Sequence, residues 1–132
     1  MTKYKLFLLA GILLVIDQVT KTWAVGHSQV SFNAGVSFGL APVWGSVIHA
    51  LGLVALLASI LVVKMRRRYG AAIYLVGVGG LSNMLDRVRW GAVVDWLQIP
   101  GTNLQNNVAD YVIMVGLLWL LGVIMYDTYV AA

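Results

Sequence analysis

The chain of 132 residues contains no cysteine and no glutamate, and only 11% of its residues are charged. The absence of cysteine excludes disulfide bonds, thiol nucleophiles and cysteine-ligated metal sites. The two histidines, His27 and His49, are far apart in sequence and lack the spacing typical of metal ligands. We therefore expect neither a metal ion nor another cofactor.

Apolar residues make up 61% of the chain, and the mean hydropathy is +0.87. A soluble domain of this size could not bury so much apolar surface, so the composition indicates an integral membrane protein. The nine lysines and arginines flank apolar segments, as topology signals do, and do not suggest a nucleic-acid partner. We expect a single domain over residues 1–132.

Four apolar segments predict four transmembrane helices, at 4–25, 43–63, 70–84 and 109–126. The second segment is uncharged and would span about 32 Å at about 1.5 Å per residue. The first segment resembles a signal peptide. However, Asp17 and Lys21 continue it and no A-x-A site follows, so we expect a retained helix.

The segment 30–38 predicts a small surface hairpin, because residues 30–32 and 36–38 alternate as strands do and Asn33 begins a turn-like sequence. The expected fold is all-α and membrane-embedded, with a small extramembrane β element on its outer face.

Basic residues predict the topology. Lys3 and Lys5 place the N-terminus in the cytoplasm, and a basic cluster at 64–68 places the second loop there. The loops at 26–42 and 87–108 are then outside, and both termini are cytoplasmic. Arg87 and Arg89 lie outside against the usual bias, which suggests that they hold carboxylates or lipid headgroups.

The segment 83–110 contains Asp86, Asp95 and Asp110. Charges at membrane depth are costly and are usually functional. Two carboxylates that share one proton can hold a water molecule between them and exchange protons with a peptide substrate. We interpret Asp95 and Asp110 as such a pair. The alternative is that Asp95 is a loop residue and Asp110 a helix N-cap.

Two further aspects of the polar residues stay open from the sequence alone. Asp17 and Lys21 share a helix face and could form only an intrahelical ion pair. Asp17, Asp86 and Arg87 could line a proton or cation path in a small four-helix transporter. A transporter would have polar residues through the whole membrane depth, whereas these cluster towards one side.

Five motifs occur in order along the chain. Residues 17–21 match D-Q-x-[ST]-K, 33–39 match N-x-G-x-[AS]-[FW]-[GS], 79–87 match G-x-x-[GS]-N-x-x-D-R, 93–96 match V-V-D-[FWY], and 107–110 match N-x-A-D. With these motifs the chain resembles the lipoprotein signal peptidase (signal peptidase II) family of membrane aspartyl peptidases.

This resemblance implies an aspartic endopeptidase in the bacterial inner membrane, with its active site on the periplasmic face. It would remove the signal peptide from diacylglyceryl-modified prolipoproteins by cutting before the lipidated cysteine. Its partners would be that substrate and membrane phospholipid, and we expect a monomer. Asp95 and Asp110 correspond to the catalytic pair, and the supporting or substrate-binding positions are Asp17, Lys21, Asn33, Asn83, Asp86, Arg87 and Asn107.

The chain is short for this family. The stretches between Lys21 and Asn33 and between Asp95 and Asp110 are abbreviated, so we expect a reduced extramembrane sheet. Asn106 stands where an aromatic residue is usual. These departures leave a second alternative, a relative that binds lipoproteins without cutting them.

Overall fold

The computed structural model describes residues 3–27, 30–34 and 69–131. The elements within these ranges are the helices and strands α1 (Lys3–His27), β1 (Ser31–Asn33), α2 (Gly70–Trp90), β2 (Val93–Asp95), β3 (Leu97–Gln98), β4 (Gln105–Asn106) and α3 (Val108–Ala131). The predicted helix at 43–63, the basic cluster at 64–68, the predicted strand at 36–38 and His49 lie outside the described residues.

The three described helices are longer than predicted, and α2 differs most. It continues to Trp90 rather than ending near residue 84. Gly91 stops it in the left-handed conformation (φ 74°) and donates its backbone N–H to the Arg87 carbonyl at 3.0 Å. Arg87 and Arg89 lie in the last turn, where cations suit the negative end of the helix dipole. The charged residues after position 84 therefore lie within the helix and do not mark its end.

The β structure consists of two small antiparallel pairs. Strand β1 pairs with β2, which places Ser31 opposite Asp95 and Asn33 opposite Val93. Strands β3 and β4 form a hairpin between β2 and α3. Asn33 is therefore the last residue of a strand and not the turn residue we predicted, because its backbone pairs with the buried strand β2.

Helices α2 and α3 pack closely through small residues, as is common for helices in membranes. A Cβ atom added to Gly79 would lie 2.5 Å from the carbonyl oxygen of Ala109 and 2.6 Å from Cγ1 of Ile113. A Cβ atom added to Gly116 would lie 2.8 Å from Cγ2 of Val76. These two glycines, one on each helix, let the helix backbones approach closely.

Polar residues occupy much of the described interior, and large apolar side chains cover much of the surface. Helix α3 exposes most of its leucines, and the segments Leu8–His27 and Val108–Val130 are long and apolar enough to cross a membrane. This distribution is the reverse of that in a water-soluble domain and fits a chain surrounded by lipid. The buried polar side chains are Asp17, Lys21, Ser82, Asn83, Asp86, Asp95 and Asn107.

The packing of α2 against α3 predicts different effects for two adjacent glycines. Gly79→Ala should lower the free energy of unfolding by about 1–3 kcal/mol, because the new methyl group overlaps the Ala109 carbonyl and Ile113. Gly80→Ala is the matched control, since a Cβ there has no neighbour within 4 Å. Thermal unfolding in detergent measures both, and equal melting temperatures for the two variants would contradict this packing.

Candidate active site

Asp95 and Asp110 approach each other through the side chain of Asn107. The Asn107 Nδ2 group donates to Oδ1 of Asp95 at 2.5 Å and to Oδ2 of Asp110 at 3.2 Å. Asn107 directly precedes α3, and its Oδ1 accepts the backbone N–H of Asp110 at 2.9 Å. This is the N-cap arrangement, so one side chain both starts the helix and joins the two carboxylates.

Two other asparagines complete the hydrogen bonding of the pair. The Nδ2 group of Asn83, on α2, donates to Oδ1 of Asp110 at 2.6 Å. The Nδ2 group of Asn33, on β1, donates to Oδ2 of Asp95 at 3.1 Å. Each of the four carboxylate oxygens therefore accepts an amide N–H, and the donors come from three separate parts of the chain.

A buried ionic cluster lies next to the pair. The Nζ atom of Lys21 is 2.7 Å from Asp17 Oδ2 and 2.7 Å from Asp86 Oδ2, and the three side chains are at most 2% exposed. Lys21 also donates to Oδ1 of Asn83 at 2.8 Å. The ion pair between Asp17 and Lys21 that we considered within α1 is present. Lys21 also pairs with Asp86, so the cluster joins α1 to α2.

The two aspartates of this ionic cluster hold backbone groups beside the catalytic candidates. Asp86 Oδ2 accepts the N–H of Val94 at 3.2 Å, one residue before Asp95. Asp17 Oδ1 accepts the N–H of Ala109 at 2.8 Å, one residue before Asp110. Each buried aspartate therefore holds the chain at one of the two residues of the pair.

Sequence reasoning assigned no role to Gln18 and Ser82, which both belong to this network. Gln18 Nε2 donates to Asp86 Oδ1 at 2.9 Å and to Ser82 Oγ at 2.9 Å. Ser82 donates to Asp17 Oδ2 at 2.7 Å. Both residues lie within the matched motifs, and Gln18 is a polar residue in an apolar helix, which was the available signal.

Arg87 and Arg89 have different surroundings. Arg87 is half-buried, and its Nη1 donates to the Asn83 carbonyl at 3.1 Å. Arg89 is exposed, donates to Thr22 Oγ1 at 3.2 Å and lies 4.7 Å above the ring of Trp90. Only Arg87 therefore adjoins a residue that contacts the aspartate pair.

Burial raises the pKa of Asp95 above its usual range, while the amide hydrogen bonds from Asn107 and Asn33 oppose the increase. A carboxyl group with a raised pKa keeps its proton closer to neutral pH. Two neighbouring carboxylates with one proton between them can act as acid and base on a bound water and a carbonyl group. Within the described ranges no group of three or more His, Cys, Asp or Glu side chains has a metal-binding arrangement.

The nine site residues predicted from the sequence thus lie in one region, where each contacts at least one of the others or their backbone. Their roles in a reaction remain predictions, because contact alone does not establish catalysis.

Comparisons with known proteins agree on one family. The model of the family described as signal peptidase (SPase) II matches residues 9–126. The chain is 31% identical to a lipoprotein signal peptidase of Rhodopseudomonas palustris, over 98% of this chain and 95% of that one. It is also 31% identical to a lipoprotein signal peptidase of Pelotomaculum thermopropionicum, over 93% of each chain.

The fold resembles that of a solved structure described as a bacterial membrane enzyme. The TM-score is 0.82 at 22% identity, over 96% of this chain and 90% of the other. At this identity the likeness establishes the fold alone.

The donor from Asn33 predicts a change in how Asp95 titrates. Asn33→Ala removes one N–H from the ionised carboxylate, so Asp95 should lose its proton at higher pH than in the parent protein. The infrared band of the protonated carboxyl group, assigned by its loss in Asp95→Asn, measures this. Ser31→Ala, on the same strand, is the control. An unchanged or lowered pKa of Asp95 in Asn33→Ala would exclude the hydrogen bond between these two side chains.

Proposed function

The chain belongs to the signal peptidase II family, and from this we propose that Asp95 and Asp110 are its catalytic pair. As a member it is an aspartic peptidase of bacterial membranes that removes signal peptides from prolipoproteins. The transporter and the non-catalytic relative are not favoured, because the relatives are named as peptidases along nearly the whole chain.

The single observation that supports the catalytic pair most directly is the bridging amide of Asn107. It contacts one oxygen of each carboxylate, so the two groups face a common donor in a buried site. Like charges held this close favour a state with one proton between them.

The proposed reaction proceeds through a water molecule held by the pair. The ionised carboxylate takes a proton from the water, whose oxygen attacks the peptide carbonyl, while the protonated carboxyl group gives its proton to the carbonyl oxygen. The resulting gem-diol intermediate collapses when the carboxyl group that took the water proton gives it to the departing amine, while the other carboxylate takes the proton of one hydroxyl group as the carbonyl reforms. At the end one carboxyl group is again protonated, so the site is ready for another cycle.

The supporting residues divide by what they contact. Asn33, Asn83 and Asn107 hold the carboxylates through amide donors, and we propose that Asp17, Lys21 and Asp86 hold the surrounding backbone and amides. Arg87 lies beside Asn83, and its guanidinium group suits a carbonyl oxygen or a lipid phosphate of the substrate. The substrate would be diacylglyceryl-modified, with cleavage before the lipidated cysteine.

We also propose that the protein acts as a monomer in contact with phospholipid. All nine site residues come from one chain, which supports activity as a monomer. The exposed apolar side chains of α1 and α3 support contact with phospholipid. The proposed topology has four membrane-spanning helices, both termini in the cytoplasm and the site on the periplasmic face of the inner membrane.

The catalytic pair predicts the effect of single-atom replacements. Asp95→Asn and Asp110→Asn should each abolish cleavage of a lipid-modified prolipoprotein, because asparagine keeps the shape but cannot exchange a proton near neutral pH. The double variant should be no less active than either single variant, since the two groups act as one unit. Gel-shift assays of cleavage measure all three.

The matched control is Asp127→Asn. Asp127 accepts a hydrogen bond from the Tyr69 hydroxyl at 2.8 Å and lies about 26 Å along α3 from Asp110, at about 1.5 Å per residue. The Asp127→Asn variant should cleave the lipid-modified prolipoprotein as the parent protein does. Retained cleavage in either Asp95→Asn or Asp110→Asn would exclude the aspartyl mechanism, and loss of cleavage in Asp127→Asn would favour the transporter instead.

The topology predicts which sites react with a membrane-impermeant thiol reagent, and the chain has no native cysteine to interfere. Asn103→Cys, in the exposed loop between β3 and β4, should react in intact inner-membrane preparations with an accessible periplasmic face. Tyr129→Cys, which replaces a residue 83% exposed at the other end of α3, should react only after permeabilisation. The opposite pattern would place the site in the cytoplasm.

A further inference from the structure

Lys21 is buried, and its described partners do not include either carboxylate of the catalytic pair. Its Nζ atom contacts Asp17, Asp86 and Asn83, all within 2.8 Å, and its side chain is 2% exposed. One ammonium group does not neutralise two carboxylates. Its third N–H donor is satisfied by the Asn83 amide oxygen and not by a third carboxylate.

The contact between Lys21 and Asn83 determines the orientation of the Asn83 amide. An ammonium group can only donate, so the atom of Asn83 that faces it must be the carbonyl oxygen. The NH₂ end must then face Asp110, where it donates to Oδ1 at 2.6 Å. If the amide were reversed, an NH₂ group would face the ammonium, and two carbonyl-type oxygens would face each other at Asp110.

Asn107 is oriented in an equivalent way by a different donor. Its Oδ1 accepts the backbone N–H of Asp110, which also can only donate, so its NH₂ end faces both carboxylates. Both oxygens of Asp110 therefore face NH₂ groups. Each of these amides is held in its orientation by a donor that contacts its carbonyl oxygen. The helix N-cap orients one of these amides and the buried lysine orients the other.

We propose that Lys21 is a positioning residue for the catalytic pair, which acts on Asp110 by holding the Asn83 amide with its NH₂ group towards that carboxylate. The proposal rests on the proposed function and assigns Lys21 a role distinct from substrate binding.

A double-mutant cycle tests the proposal. Lys21→Met keeps the length of the side chain and removes its donors, and Asn83→Ala removes the amide through which Lys21 would act. Each should lower kcat on a lipid-modified prolipoprotein by about 10- to 100-fold with little change in KM, the range expected for loss of one hydrogen bond to a charged group. The double variant should lose less than the product of the two single losses, since Lys21 acts on Asp110 at least in part through the Asn83 amide.

Losses that multiply in the double variant would overturn the proposal, because Lys21 would then act independently of Asn83. Parent-like kcat in a folded Lys21→Met variant would overturn it as well. The proposed function fails by a different result, namely cleavage by Asp95→Asn or Asp110→Asn, so the two failures are distinguishable in one set of assays.

Two further variants keep the test decisive if Lys21→Met does not fold. Lys21→Met combined with Asp17→Asn removes one positive and one negative charge, so the cluster keeps its net charge, and a folded protein of this type should still have the low kcat. Asn83→Asp keeps an acceptor for Lys21 but removes the donor to Asp110, and it too should lose kcat. Parent-like kcat in either folded variant would show that the amide orientation is not required.

Discussion

Most of the described structure depends on one set of interactions, the buried ion pairs of the Lys21 ammonium group. It joins α1 to α2 through Asp17 and Asp86, and those two carboxylates extend to the backbone N–H groups of Ala109 and Val94. Removal of the lysine would leave two carboxylates close together in an environment of low polarity, which is costly. The ionic cluster thus connects two helices, a strand and the start of a third helix.

This connection explains why the catalytic candidates need not be on rigid elements of their own. Asp95 lies on a strand of three residues, and Asp110 lies in the first turn of α3. Short strands and helix ends are mobile unless their backbone groups are held. Here a buried aspartate accepts the N–H that precedes each of them, while the glycine contact at Gly79 keeps α2 close to Ala109. Site geometry and helix packing therefore depend on the same few residues.

Sequence reasoning and the structure differ most where hydrogen bonds join distant segments. Asn33 has the local signature of a turn, yet it is paired in a strand, because its partner strand is about sixty residues away. The ion pair of Lys21 with Asp17 was considered from their spacing, whereas the contacts of Lys21 with Asp86 and Asn83 on α2 were not predicted. The end of α2 was predicted near residue 84, whereas the helix continues to Trp90 and Gly91 ends it.

The sequence by itself determined which residues could take part and which of them share a helix face. The turn of an α-helix is the same in every context, so the spacing of Asp17 and Lys21 already predicted a common face. Only the tertiary structure decided which amide faces which carboxylate oxygen. The donors to Asp95 and Asp110 come from strand, helix and loop residues that are up to 62 positions away in the chain. Such pairings depend on how the helices pack and on which buried polar groups lack water. Neither can be predicted from the local periodicity of the sequence.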